Sequence, residues 1–180
     1  MEVRSYKSGR NTHSCRILLG HYDFHRNPGP CRRGNRHGGS PTALGKTFKG
    51  DYANSPAYIM EVMNDLARLG IESLPNQTIG VYYDDPSKKE AQLLMSFQGV
   101  FVTHTLKEVP SPFIQFSFSG KYLYIKLTGM DVMRMIYEGY NMLFNFIKTN
   151  SIKLKSPTGY QIFTNTGDGI VAEILLEIEK

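Results

Sequence analysis

Apolar and polar residues follow two rhythms along this chain, and the same succession of rhythms occurs twice. Over residues 55–70 the apolar positions Ile59, Met63 and Leu66, with Met60 beside them, recur at helical spacing, while Glu61, Asn64, Asp65 and Arg68 fall between. Ser55 is placed to cap this helix, Pro56 suits its first position, where a missing N–H costs nothing, and Gly70 ends it. Over residues 131–149 the same spacing returns in Val132, Ile136, Tyr140, Leu143 or Phe144, and Ile147, preceded by a capping arrangement in Thr128 to Asp131. Met133, Tyr137 and Phe146 widen its apolar arc, as expected of a helix covered on more than one side. Residues 95–105, 112–118, 122–127, 160–164 and 170–178 are rich in Val, Ile, Phe and Tyr between turn residues and predict strands.

The two successions align. Phe48-Lys49-Gly50-Asp51-Tyr52 precedes the first helix and Ile79-Gly80-Val81-Tyr82-Tyr83-Asp84-Asp85 follows it. Ile125-Lys126-Leu127-Thr128-Gly129 precedes the second, and Gly159-Tyr160-Gln161-Ile162-Phe163-Thr164-Asn165 follows. Gly50 matches Gly129 at an offset of 79, and Tyr83 is matched with Phe163 at 80. The expected fold is α+β: duplicated βαββ units forming one mostly antiparallel sheet with two helices packed on it, and a cleft at the seam between the copies. The first copy is assigned to residues 44–108 and the second to 112–180, within a single domain over 44–180.

Composition changes the picture mainly at the N-terminus. The net charge of +5 divides unevenly, since residues 1–50 carry ten Lys or Arg against two acids and residues 51–180 carry eleven against fourteen. Residues 1–43 read as a basic, Gly/Pro-rich leader, extended or poorly ordered, in which only Ile17-Leu18-Leu19 could anchor the chain. Its charge allows weak, non-specific contact with nucleic acid. It also holds both cysteines, Cys15 and Cys31, and the histidines His13, His21, His25 and His37, but no scaffold that would assemble them into a metal site. No apolar run approaches the roughly 20 residues that span a bilayer, and the N-terminus has no signal-peptide pattern, so the expected setting is the cytoplasm, without a membrane partner.

Gly50-Asp51-Tyr52, the Ser55-Pro56 helix start and Ile79-Gly80-Val81-Tyr82-Tyr83-Asp84-Asp85-Pro86, set in the duplicated layout, resemble the GyrI-like small-molecule-binding superfamily over roughly residues 44–180. That resemblance implies one sheet built from two βαββ copies, with a cleft for flat, often cationic organic molecules. Its members serve as effector domains of drug-sensing transcription activators, as a gyrase-inhibiting protein, or as hydrolases of cyclopropane-bearing natural products. Drug-sensing members place a glutamate in a Phe-Glu-Val-Tyr context to face a bound cation; the matching position here is Gln161. A neutral amide supplies directional hydrogen bonds rather than charge, which argues against cation specificity.

If Gln161 faces the cleft, strand parity takes Phe163 there too, together with Val81 and Tyr83, and turns Tyr82 and Ile162 toward the helices. Tyr52, Tyr58, Tyr137 and Tyr140 complete the set of ligand-binding residues, an aromatic wall with few polar groups. No catalytic residue, metal or cofactor is assigned: the folded region offers His104 in an expected strand, and Glu173, Glu177 and Glu179 on one face of the last strand, which reads as solvated. The expected function is a stand-alone binding protein for small, aromatic organic ligands rather than an enzyme. A hydrolase of reactive aromatic natural products, or a gyrase-inhibitor-like module with a protein partner, are the alternatives.

Overall fold

The computed structural model describes residues 2–3, 16–20, 42–118, 120–129 and 131–179. The elements in chain order are β1 (Glu2–Val3), β2 (Arg16–Gly20), β3 (Thr42–Lys49), α1 (Ser55–Arg68), β4 (Ser73–Tyr82), β5 (Met95–Val102), β6 (Ile114–Phe116), β7 (Tyr122–Gly129), α2 (Val132–Thr149), β8 (Leu154–Asn165) and β9 (Ile170–Ile178). They fall into two compact units, one of residues 23–118, the other of residues 1–22 with 119–180.

In the unit of residues 23–118 the strand order is β4-β5-β3-β6, with antiparallel neighbours. Leu44, Val100 and Val102 pack against Val62 and Leu66 of α1, with Phe113 closing the cluster. Helix α1 starts one residue earlier than capping by Ser55 would require. Ser55 lies within the helix, its hydroxyl donates to the Tyr52 carbonyl at 2.7 Å and accepts Nε2 of the buried Gln98 at 3.2 Å, while Asp51 caps the short 3-10 turn at Tyr52–Asn54. Strand β3, only weakly patterned in sequence, runs for eight residues because β5 pairs with it along its full length. His104 lies exposed beyond the end of β5, not in the strand expected to reach residue 105.

In the other unit the order is β1-β2-β7-β9-β8, again antiparallel. Leu123, Ile125 and Leu127 of β7 and Ala172, Ile174, Leu176 and Ile178 of β9 meet Met135 and Leu143 of α2 in one apolar cluster. Asp131 caps α2 by accepting the Arg134 N–H at 3.0 Å. A Cβ at Gly139 would meet Leu127 at 3.1 Å and Ile174 closer still, so the helix backbone lies directly on the sheet there. Residues 16–20, inside the segment read as a leader, form β2 and pair with β7 from Arg16 opposite Lys126 to Gly20 opposite Tyr122. The cysteines and the four N-terminal histidines lie outside the described residues.

Each unit thus contains strand, helix, strand, strand with the same connectivity: β3-α1-β4-β5 arranged β4-β5-β3, and β7-α2-β8-β9 arranged β8-β9-β7. Antiparallel sheet with a helix packed on it, twice, is the α+β architecture expected from the sequence. No helix of the described residues is long and apolar enough to cross a membrane.

Candidate functional site

Strand β9 alternates two kinds of side chain. Ala172, Ile174, Leu176 and Ile178 join the cluster under α2, so Val171, Glu173, Leu175 and Glu177 point to the opposite face. That second face is also buried, and Glu173 is only 4% exposed. Cross-strand pairing defines its rows: Lys126, Glu173 and Ile162 form one, and Tyr124, Leu175 and Tyr160 the next. Tyr122 and Tyr160 meet edge to face with ring centroids 5.4 Å apart. Tyr122, Tyr124 and Tyr160 are all buried, so the carboxylate of Glu173 stands beside an aromatic and aliphatic surface.

Each of the two carboxylates has a lysine beside it. Glu177 is held by Lys155 at 2.7 Å, within hydrogen-bond distance. Gly120 takes a φ of +132° beside the Glu177 carboxylate, a backbone conformation that suits glycine. Glu173 lies 3.6 Å from Lys126 Nζ, an ion pair too long to be a hydrogen bond. Expecting Glu173, Glu177 and Glu179 on a solvated face was wrong for the first two. Val171 and Leu175 on the same side were the available signal, since a solvated face would not be half apolar.

Within each unit the proposed binding residues fall on more than one face. Gln161 is paired with Ile174 and donates from Nε2 to the Tyr140 hydroxyl at 3.2 Å, so it faces α2. Phe163 lies on that same side, against the α2 cluster, and Ile162 takes the opposite face. The expected parity is therefore reversed in β8. The cause is the matching of Tyr83 with Phe163 at 80. The registers put Gly80 and Tyr82 on the helix side of β4 and Gln161 and Phe163 on the helix side of β8, so the faces of the two strands correspond at an odd offset, and one residue of slip exchanges the faces of a strand. Tyr137, 70% exposed, stands on the outer side of α2.

In the other unit the parity holds. Tyr82 shares the α1 side with Gln98, while Val81 pairs with Phe97 on the far side and Tyr83 continues that side, 40% exposed. Burial raises the Tyr83 hydroxyl pKa. Phe97 lies flat over Gly45 and Gly99, where any Cβ would strike its ring, and reaches Phe116 at 5.5 Å. Tyr58 stacks on Phe48 at 4.2 Å. Tyr52 meets the edge of Tyr82 at 4.8 Å, and its hydroxyl accepts the Asp84 N–H and lies 3.0 Å from the Met95 carbonyl that it donates to. Both tyrosines secure the ends of α1 and of the β4–β5 connection.

No protein-family model matches the chain, and no curated protein does. Among solved structures, the chain is similar to EcmrR in an EcmrR–DNA complex, with 12% identity and a TM-score of 0.56, covering 94% of this chain and 57% of EcmrR. It is similar to SAV2435 bound to tetraphenylphosphonium, with 10% identity, a TM-score of 0.50 and 94% of both chains covered. An integron cassette protein from the mobile metagenome of Vibrio cholerae aligns with 12% identity and a TM-score of 0.49 over 92% of this chain and 95% of that one. At such identities the first two likenesses speak to fold alone, and that fold has been solved holding a small organic molecule.

Proposed function

We propose that this protein binds small organic cations with aromatic or apolar substituents, in the manner of GyrI-like effector domains built from a duplicated βαββ unit, and that Glu173 is the anchor. The observation carrying this reading is a carboxylate, 4% exposed, on the same sheet face as Tyr122, Tyr124 and Tyr160. A cation that comes within reach of a buried carboxylate gains Coulomb energy in a low-dielectric setting, and rings on the same face add cation–π attraction. Gln161, on the other side of the sheet, does not bear on cation binding.

Titration calorimetry with tetraphenylphosphonium, the cation bound to SAV2435, tests the reading. Glu173→Gln should weaken binding by about tenfold or more, 1.4 kcal/mol. Equal affinity in the two proteins would remove Glu173 as the anchor.

A further inference from the structure

We infer that the outer face of α2 is the interface of a weak homodimer, in which the same face of a second copy of this chain packs against it antiparallel. Met133 and Tyr137 widen the apolar arc of α2 as a helix covered on more than one side requires, yet the sheet takes only the face of Met135, Gly139 and Leu143. On the opposite side Met133 is 74% exposed, Tyr137 70% and Phe144 49%. Positions 133, 137, 140 and 144 are separated by four, three and four residues, so they form one row along the helix. Phe144 stacks on Tyr140 at 6.0 Å, and Tyr140 is bonded by Gln161, so this end of the row is already ordered and little side-chain entropy is lost on docking. Arg134 and Glu138 bond each other at 2.8 Å along one side, a polar rim beside an apolar strip.

Spacing and area both point to a second copy as the occupant. A row with this spacing is what a second helix meets lengthwise. Helix α1 carries no such row, since its exposed Met60 and Leu69, nine residues apart, point to opposite sides. The matching helix among the described residues is therefore α2 itself, and a two-fold axis across its middle makes the row its own complement. At roughly 200 Å² for a large side chain fully exposed, Met133, Tyr137 and Phe144 offer roughly 400 Å² per copy, hence roughly 800 Å² for the pair. With the half-buried Ile136 and Ile147 beside them, this approaches the roughly 1,000 Å² at which specific interfaces begin, an area that suits a weak, concentration-dependent dimer. Antiparallel pairing opposes the two helix dipoles and keeps the Lys148 ammonium groups at opposite ends, whereas parallel pairing would bring them together.

Sedimentation velocity on the full chain between about 5 and 500 µM, at one salt concentration, tests this, and the parent should pass from monomer to dimer over that range. Tyr137→Glu and Met133→Glu, both at exposed positions, should leave Tm at low concentration within about 2 °C and each weaken association about tenfold or more. Phe144→Lys should weaken it as well. The double variant Tyr137→Glu with Phe144→Lys should associate more tightly than either single variant, because antiparallel pairing sets position 137 of one copy against position 144 of the other. A double variant no tighter than the singles overturns the antiparallel arrangement. A parent still monomeric at about 500 µM, or a dimer whose affinity Tyr137→Glu leaves within about twofold, overturns the interface. A monomeric parent that co-sediments with phosphatidylcholine vesicles, and loses that binding in Tyr137→Glu, overturns it in favour of a lipid surface.

Discussion

The side-chain amide of Gln161 donates a 3.2 Å hydrogen bond to the hydroxyl of Tyr140, tying β8 to α2. Gly159 makes the contact possible: it shares that face of β8, and a Cβ there would lie 3.1 Å from the Tyr140 ring and closer to its hydroxyl. Tyr140→Phe should lower stability by about 1 kcal/mol, the usual net value of such a bond, or roughly 2–4 °C in Tm for a chain of this size. Tetraphenylphosphonium affinity should not change. A change in affinity without a change in Tm would put Tyr140 and Gln161 back in the binding site.

Gly139 sits in the interior of α2, where alanine ordinarily gains about 1 kcal/mol over glycine. Here the new methyl group would press on Leu127 and Ile174, so Gly139→Ala should destabilise the protein by about 1–3 kcal/mol in denaturant unfolding. Adding Ile174→Val removes the methyl that stands in the way. The double variant should then be more stable than the sum of the two single effects.

Acid should act on the unit of residues 23–118 through its aspartates. The Lys46 hydrogen bond lowers the pKa of Asp65, and the Lys89 and Met95 hydrogen bonds lower that of Asp84. The Ser87 hydrogen bonds, helped by Lys88, take Asp85 to about 2. A carboxyl pKa lower in the folded than in the unfolded protein contributes stability that is complete above the unfolded value, about 4. That stability is lost as pH falls toward the folded value. Melting temperature should hold above about pH 5 and fall through the window below about pH 4. Asp84→Asn should lower Tm at neutral pH and flatten the acid slope. An unchanged slope would mean that Asp84 is not held as the Lys89 and Met95 contacts imply.

Strand β2 pairs with β7 over five residues, and its loss would leave β7 an edge with unpaired backbone groups. Deleting residues 1–20 should lower Tm by about 5 °C or more, beyond the 2–4 °C of a 1 kcal/mol change, and increase aggregation on heating. An unchanged Tm would show that the pairing adds no stability.

Much of the fold was legible because its signals are local. The 3.6-residue spacing of Leu66 and its neighbours, Asp131 ahead of α2, and Gly50 and Gly129 at the ends of their strands each act within a few residues. The candidate site was not legible in the same way. Alternation along β8 and β9 says that two faces exist, but not which one meets the helix, and one residue of misalignment placed Gln161 and Phe163 on the wrong side.

By itself the sequence determined the α+β class, two copies of strand, helix and strand pair, and a chain whose positive charge lies at its N-terminal end, because propensity, capping and charge belong to neighbouring residues. Only the tertiary structure decided that Glu173 is buried beside Lys126 and near Tyr124 and Tyr160, and that Ile17 and its neighbours form a strand on β7. The physical reason is that burial, ion pairing and strand face depend on which distant segments come together, and cross-strand register, set by the whole sheet, fixes that.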